Sequence, residues 1–365
     1  MLAHARALGA ASSRSREQSL YDGPMTASEM GTMRRWAETA EAIRATRATS
    51  RKATIVAEYL CSLQDADLAI AAVFLSGRPF PERDQRKTGL GWRAITTVVQ
   101  GIAGADEGAM GRSYDRSSDV GTAVGDLLSE VGHEPEGDLP LSLAKVAEGY
   151  DRLAGTRGRD SKADVFAGLL RRADPLSARY ITAILGGELR IGLREGHLEK
   201  GIAQASEQDL AAVQWAGMLT GDIGRTAQLA RNDALDSARL SLFHPLKSML
   251  ASPVADEAEA LERLTPPVWV EDKNDGIRAQ LHREGHEVRL FSRDLNDITA
   301  GYPEVVDAAR AVRWEGILDG EILAWKDGAV LPFLALQTRI GRKKPSAAVL
   351  AEVPVIYVAL SLIHI

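Results

Sequence analysis

The hydrophobic pattern of the chain changes its period once, near His244 and Pro245, and this change constrains the fold most. Before it, apolar residues recur at the spacing of one helix face, and alternating runs are hard to find. After Pro266 and Pro267 the apolar residues alternate, which is typical of strands. A chain of 365 residues is also too long for one small core. We therefore predict a multidomain protein, with an all-α domain followed by an α+β domain.

The first part predicts a series of helices separated by Gly, Pro and Asp residues. One of them ends at Gly77, with Pro79 close behind. Residues 104–120 are small and polar, so we expect a loop there. The predicted helices cover residues 53–63, 65–75, 123–131, 141–153, 162–170 and 177–185.

The second part predicts strands and one helix. Val268 and Val270 alternate with polar or aromatic neighbours and indicate a first strand. Residues 277–283 and 287–292 predict two further strands, joined into a hairpin by the turn at 284–286. A helix is expected at 302–312, and a strand at 317–325 that ends in an Asp-Gly turn.

Composition restricts the class of protein. Apolar residues make up 45% and charged residues 26% of the chain, as in ordinary soluble proteins, and no apolar run has the roughly 18–20 residues of a membrane span. A single cysteine, Cys61, excludes disulfides and cysteine-based zinc sites and favours a reducing cytoplasm. The net charge of −6 means that a nucleic-acid site would need its Lys and Arg gathered locally. We interpret the Arg- and Ser-rich residues 1–30 as a disordered leader rather than a transit peptide.

The most informative segment reads K-x-D-G-x-R, from Lys273 to Arg278. Lys273 is expected to end an apolar strand, with Trp269 and Glu271 on the same face. A lysine amine attacks phosphorus only when it is neutral, and an arginine fork binds phosphate. Gly276 is expected to let the backbone approach a ligand, or to take a positive φ. The segment alone would also suit a solvated hairpin turn.

Two further stretches favour the chemical interpretation. Asp319 and Glu321 lie two residues apart in L-D-G-E-I-L, and therefore on one strand face, where they can hold a metal or a ribose hydroxyl. The alternative is a pair of charges that protects a sheet edge. Residues 337–344 form a basic cluster suited to DNA phosphates, or a solvated helix end.

The order of these motifs resembles the ATP-dependent DNA ligases. V-E-x-K-x-D-G-x-R is followed by L-F-S-R, P-E-V-V, L-D-G-E-I-L and L-Q-x-R-I-G-R-K at the spacings of that family. The resemblance covers residues 240–359 and extends more weakly into the helical part, notably at G-G-E-L-R-I-G-L, residues 186–193. It implies a helical DNA-binding domain at 31–245 and an adenylation domain at 246–365 of the nucleotidyltransferase (ATP-grasp-like ligase) fold.

The resemblance also implies roles for individual residues. Lys273 would be adenylated on its side-chain nitrogen, and Glu271 would recognise adenine. Arg278 and Arg293 would contact ribose and phosphates, and Glu321 would contact the ribose or hold Mg²⁺. The expected DNA contacts are Arg190, Arg194, Arg339, Arg342 and Lys343.

The implied reaction seals nicks in double-stranded DNA. Lys273 takes AMP from ATP, the AMP passes to a 5′-phosphate, and the 3′-hydroxyl then displaces it. We expect a cytoplasmic monomer with no membrane partner. RNA ligases and RNA-capping enzymes share K-x-D-G, and a non-catalytic nick-binding protein would keep the helical domain and the basic cluster. The long helical part favours the DNA ligase.

The chain departs from the family at its end. Resemblance stops at Ala359, and the last six residues, L-S-L-I-H-I, equal the translation of a transposon-end adaptor. We therefore expect the adenylation domain to be incomplete at its C-terminus, and a polypeptide of this length to be poorly stable and inactive by itself.

Overall fold

The computed structural model describes residues 30–246, 252–264, 267–268, 270 and 272–360. Several predictions lie outside these residues. They are the disordered leader, the adenine contact of Glu271, the position of Trp269 on its strand, and the nature of the last five residues. Of the first predicted strand, Val268 and Val270 are described, and neither is in a strand.

The first part is helical, as predicted. Its helices are α1 (Met33–Ala45), α2 (Thr49–Cys61), α3 (Asp65–Leu75), α4 (Trp92–Ala103), α5 (Ala109–Ser117), α6 (Val120–Glu130), α7 (Leu143–Gly155), α8 (Arg159–Arg171), α9 (Pro175–Gly186), α10 (Glu195–Ser206), α11 (Leu210–Thr220) and α12 (Ile223–Arg231). All the helices predicted in this part are confirmed, with ends that differ by a few residues.

Local capping explains where many of these helices begin and end. Asp174 accepts hydrogen bonds from the N–H groups of Leu176 and Ser177 at the start of α9, where Pro175 also suits the first turn. Helix α9 ends at Gly187, whose φ of +75° is the left-handed conformation that glycine adopts without strain. Polar caps and glycine ends of this kind recur along the helical part.

The predicted loop at 104–120 is wrong, because α5 lies within it. The helix has only nine residues and few apolar ones, so its sequence pattern is weak. Ala109, Met110 and Ser113 nevertheless face the interior, and the Ser113 hydroxyl donates to the carbonyl of Ala123 on α6 at 3.1 Å. Tertiary packing forms this helix, since isolated helices of that length are unstable in water.

The second part is a mixed sheet with short helices. After α13 (Glu257–Arg263) come β1 (Ile277–Glu284), β2 (Glu287–Ser292), α14 (Pro303–Ala311), β3 (Gly316–Lys326), β4 (Ala329–Val330), α15 (Phe333–Gln337), α16 (Ala347–Glu352) and β5 (Val355–Ala359). The β1–β2 hairpin, the helix after it and the long β3 strand confirm the predictions. Strand β1 pairs antiparallel with β2 on one side and β3 on the other, and β5 and β4 pair with β3.

The two parts have separate cores. One cluster of buried apolar side chains joins the helices from Met30 to Ala238. The other lies on one face of the sheet, where Leu281, Leu290 and Ile322 pack beneath α14. The opposite face of β1 carries Arg278, Gln280 and His282. Lys273 and Arg293, from two of the sequence motifs, lie at the end of β1 where Arg278 stands.

Candidate active site

Lys273 lies in an irregular segment just before β1, not at the end of a strand as predicted. Residues 272–276 have no regular secondary structure, and the Lys273 side chain is exposed to solvent. The strand begins only at Ile277, after the turn. Lys273 therefore lies beyond the end of the sheet and not on one of its faces. A ligand can reach it from solvent at that position.

Gly276 fixes how this segment meets the sheet. Its N–H donates to Oε1 of Glu321 on β3 at 2.9 Å. A Cβ on Gly276 would lie 2.4 Å from the carbonyl oxygen of Ile322 and 2.5 Å from Cδ2 of Leu323. The close approach is therefore to strand β3, whereas we had expected a ligand, and the φ of Gly276 is not positive. A side chain at this position would push the lysine segment away from β3.

Arg278 is held by Asp319 in a charged pair. Its Nε lies 3.2 Å from both carboxylate oxygens and its Nη2 lies 2.5 Å from Oδ2. The Asp319 side chain is only 9% exposed and that of Arg278 is 34% exposed, so the pair is partly shielded from water. The hydrogen bonds that Arg278 donates to Asp319 raise the pKa of Arg278 further, with burial acting against them. The guanidinium is thus fixed in direction while part of it stays accessible.

The two carboxylates of L-D-G-E therefore each hold one part of K-x-D-G-x-R. The strand register brings these residues together. Arg278 stands opposite Glu321, and Asp319, which stands opposite Gln280, is the diagonal neighbour of Arg278 on the same face. Arg293 follows the last residue of β2, which pairs with Ala279, so it lies at the same end of the sheet and is exposed. Lys273, Arg278, Arg293 and Glu321 therefore lie at the same end of the sheet.

Gly320, which lies between Asp319 and Glu321 on β3, leaves room for the ring of Tyr357 against the strand. The Tyr357 hydroxyl lies 3.0 Å from the carbonyl oxygens of Ala279 and Leu318, and a Cβ on Gly320 would come within 2.6 Å of that ring. Burial raises the pKa of Tyr357, so its hydroxyl stays protonated. The tyrosine ties β1, β3 and β5 together beneath the site.

Comparison with known proteins finds the same two parts. The model of the DNA ligase N terminus matches residues 32–203, and that of the ATP dependent DNA ligase domain matches residues 248–365. The chain belongs to the ATP-dependent DNA ligase family. The first match lies in the helical part and the second covers the sheet part, in the order of folds that the change of hydrophobic period had predicted.

Individual ligases resemble the chain over most of its length. It is 43% identical to a "Probable DNA ligase" of Koribacter versatilis, over 90% of this chain and 56% of that protein. A "Probable DNA ligase" of Opitutus terrae is 36% identical, over 88% of this chain and 38% of its own. A "DNA ligase" of Archaeoglobus fulgidus is 30% identical, over 87% and 59%. The chain thus spans about half the length of these ligases.

The helical part presents two of the arginines that the ligase resemblance suggested. Arg190 is exposed, but it is held by Glu188 at 2.9 Å and by Asp119 at 3.3 Å. Arg194 is exposed at the start of α10. The loop between them is shaped by Lys52, which is almost fully buried and donates to the carbonyl of Ile191 at 2.6 Å. Burial lowers the pKa of this lysine.

The basic cluster after α15 divides into a buried and an exposed group. Arg339 was expected to contact DNA, and this is wrong for the structure, because its side chain is 0% exposed. Its guanidinium donates to Glu304, to the carbonyl of Gly301 and to that of Val353. It therefore joins α14 to the segments after α15. Arg342 and Lys343 are exposed and stay available.

The described residues contain neither a metal-binding cluster nor a membrane-spanning helix. No group of three or more His, Cys, Asp or Glu side chains lies close enough to hold a metal ion there. No helix in the described part is long and apolar enough to cross a membrane.

Sequence reasoning missed several contacts in and around the site. Asp319 was considered for metal or ribose, but it holds Arg278. Gln280 and His282 were not singled out, although both are buried on the face that carries Arg278. Their period of two from Arg278 was the available signal. The sequence motifs also do not predict that the side chains of Tyr357 and Lys52 are buried.

Proposed function

We propose that the protein containing this chain is a DNA ligase that uses ATP to seal nicks in double-stranded DNA through a lysine–AMP intermediate. The observation that carries this proposal is the arrangement around Lys273. The lysine segment is fastened to Glu321, and Arg278 is fixed beside it by Asp319. The family membership and the ligase relatives support the same function.

In the proposed first step the amine of Lys273 attacks the α-phosphorus of ATP. An N–P bond forms, the bond to pyrophosphate breaks, and the amine loses its proton. The exposed position of Lys273 gives the nucleotide access, and the guanidinium of Arg278 offers its free edge to a phosphate or ribose. Arg293, at the same end of the sheet, can add a second positive charge. Positioning and charge stabilisation supply most of the catalysis in such transfers.

The arrangement offers Mg²⁺ one protein carboxylate, that of Glu321. Glu321 is half-buried and uses Oε1 for the N–H of Gly276, so its other oxygen can serve as a ligand. Magnesium is commonly held by one or two carboxylates together with substrate phosphates and water. When bound, it would neutralise phosphate charge. We propose Glu321 as the protein ligand, with Asp319 committed to Arg278.

The later steps need DNA and, in the proposed enzyme, the rest of a full-length ligase. AMP would pass from Lys273 to the 5′-phosphate of a nick, and the 3′-hydroxyl would then expel it. We propose that Arg190, Arg194, Arg342 and Lys343 contact the DNA backbone, since all four are exposed. We further propose that the enzyme acts as a monomer in the cytoplasm.

The deciding experiment is covalent labelling with ATP carrying a label on its α-phosphate. The longest gene product that contains this chain is incubated with Mg²⁺ and then denatured. We expect label on the wild type and none on Lys273→Ala. Lys145→Ala is the matched control, because Lys145 is an exposed lysine on α7 in the helical part, and it should label normally.

A chase then identifies the acceptor. Nicked duplex DNA should remove the label and yield sealed product, whereas a nicked RNA duplex should not. Absence of label from a folded full-length protein that still binds nicked DNA would replace the ligase proposal with a non-catalytic nick-binding protein.

A further inference from the structure

The segment that leads from the helical part to the sheet lies directly on β1. The N–H of Phe243 donates to Nδ1 of His282 at 3.0 Å. The N–H of Leu246 donates to Oε1 of Gln280 at 2.8 Å, and the Gln280 amide donates back to the carbonyl of Leu246. Three hydrogen bonds thus connect backbone groups of this segment to two side chains of one strand.

Both strand side chains are buried, which makes these bonds specific. His282 is 0% exposed and Gln280 is 5% exposed. A buried amide or imidazole without partners is unfavourable, so the two residues require the segment in this position. Because the N–H of Phe243 can only donate, Nδ1 must accept, and the proton of the neutral ring resides on Nε2, 3.4 Å from Oε1 of Gln280.

The segment itself adopts a conformation that needs outside support. Phe243 has a φ of +64°, which is unfavourable for a residue with a side chain. Its ring lies beside the His282 ring, with centroids 6.5 Å apart, and beneath the Arg289 guanidinium at 5.3 Å. Two strand residues, His282 and Arg289, therefore hold one strained residue in place.

We propose that Gln280 and His282 are positioning residues that fix the segment at 242–246 on β1 and so set one orientation of the helical part relative to the Lys273 site. Strand β1 contacts the segment at 242–246 and also leads directly from the Lys273 segment. Arg278 lies on the same face, two residues before Gln280, at the end where Lys273 is presented. The helical part, which would bind DNA, is thereby held in a fixed orientation relative to β1, the strand that carries Arg278.

A polar anchor suits this task better than an apolar contact. Apolar surfaces can slide over one another with small changes in free energy, whereas hydrogen bonds to named backbone atoms fix the register. A mere space-filling role would require only apolar volume at position 280. The functional part of the inference rests on the proposed ligase activity, but its structural part does not.

The structural test is a distance measurement on the chain itself. Cys61 is the sole cysteine, is exposed and lies on α2, so it accepts a spin label directly. Lys326→Cys supplies the second site, at the exposed end of β3. We expect one narrow distance distribution in this background. Adding Gln280→Met, which keeps the volume but removes the amide, should broaden it at least twofold.

A second variant guards against loss of folding. Phe243→Gly leaves the sheet side chains intact, relieves the positive φ and removes the ring that contacts His282 and Arg289. It should broaden the distances in the same way. His286→Asn is the control, because His286 is an exposed histidine in the turn of the same hairpin and should leave the distribution unchanged.

Hydrogen exchange provides an independent readout. The amides of Phe243 and Leu246 should exchange about tenfold faster in Gln280→Met, while those of β3 stay protected. Narrow distances and unchanged exchange in both variants would overturn the proposal. In an active full-length protein, the variants should label Lys273 at the wild-type rate but seal nicks about tenfold more slowly. Failure of wild-type labelling would instead refute the ligase proposal and leave the structural inference standing.

Discussion

Replacing Gly276 with alanine tests whether β3 positions the lysine segment. The added Cβ would lie 2.4 Å from the carbonyl oxygen of Ile322 and 2.9 Å from Cγ of Glu321, and real Cβ contacts do not fall below 3.0 Å. The neighbours are backbone and a packed strand, so they cannot yield easily. The start of β1 must therefore move away from β3, and the hydrogen bond from the Gly276 N–H to Glu321 is weakened or lost.

The size of the effect follows from these contacts. Overpacking a fitted site costs about 1–3 kcal/mol. Loss of a hydrogen bond to a carboxylate adds about 1.5 kcal/mol, the lower end of its range because this segment is partly exposed. We expect Gly276→Ala to lose about 2.5–4.5 kcal/mol of unfolding free energy. A displacement of about 1 Å at the lysine should slow adenylate formation roughly 100-fold.

The assay combines urea unfolding with the rate of labelling by ATP at saturating Mg²⁺. Gly285→Ala is the control, because Gly285 lies in the hairpin turn at φ +56° with open space around it. That change should cost about 1–2 kcal/mol through backbone strain alone and leave labelling unchanged. If Gly276→Ala labels at the wild-type rate despite its loss of stability, the contact with β3 does not position Lys273.

Three further predictions concern the charged and buried groups. Asp319→Asn should free Arg278, cost about 1–2 kcal/mol because the pair is only partly buried, and raise the KM for ATP in labelling assays more than it lowers kcat; the reverse pattern would contradict a positioning role. Burial, with a smaller contribution from the charge of His244, lowers the pKa of His282 to about 4, so its neutral form stabilises the fold above pH 6.5. This stability should decline as the pH falls from about 6.5 towards 4, by at most about 1.4 kcal/mol per pH unit. His282→Asn should flatten that part of the profile in unfolding experiments, and an unchanged slope would exclude His282 as its source. Arg339→Met should leave Glu304 without its partner and cost about 2–4 kcal/mol, with no change in the salt dependence of DNA binding; a reduced salt slope would restore Arg339 as a phosphate contact.

Local sequence patterns predicted most elements of the fold because they depend on near neighbours. The helices with clear apolar faces, the β1–β2 hairpin and the long β3 strand all have periodicities that extend over several residues. Helix α5 was missed because its few apolar residues become a buried face only when α6 is in place. The strand expected at Val268 and Val270 was wrong for a related reason, since a strand needs a partner to pair with and alternation alone does not supply one.

The sequence by itself determined which residues meet at the site. The order of the sequence motifs resembles that of the ATP-dependent DNA ligases, and this resemblance assigned Lys273, Arg278 and Glu321 to one nucleotide site. Strand period alone indicated that Asp319 and Glu321 share a face. Only the tertiary structure decided what each residue contacts. Asp319 pairs with Arg278, and Gly276 packs against β3 instead of a ligand. Arg339 is buried, although its motif is basic and looks solvated. These outcomes depend on the register between strands that are distant in sequence, and on the free-energy cost of leaving a buried charge unpaired.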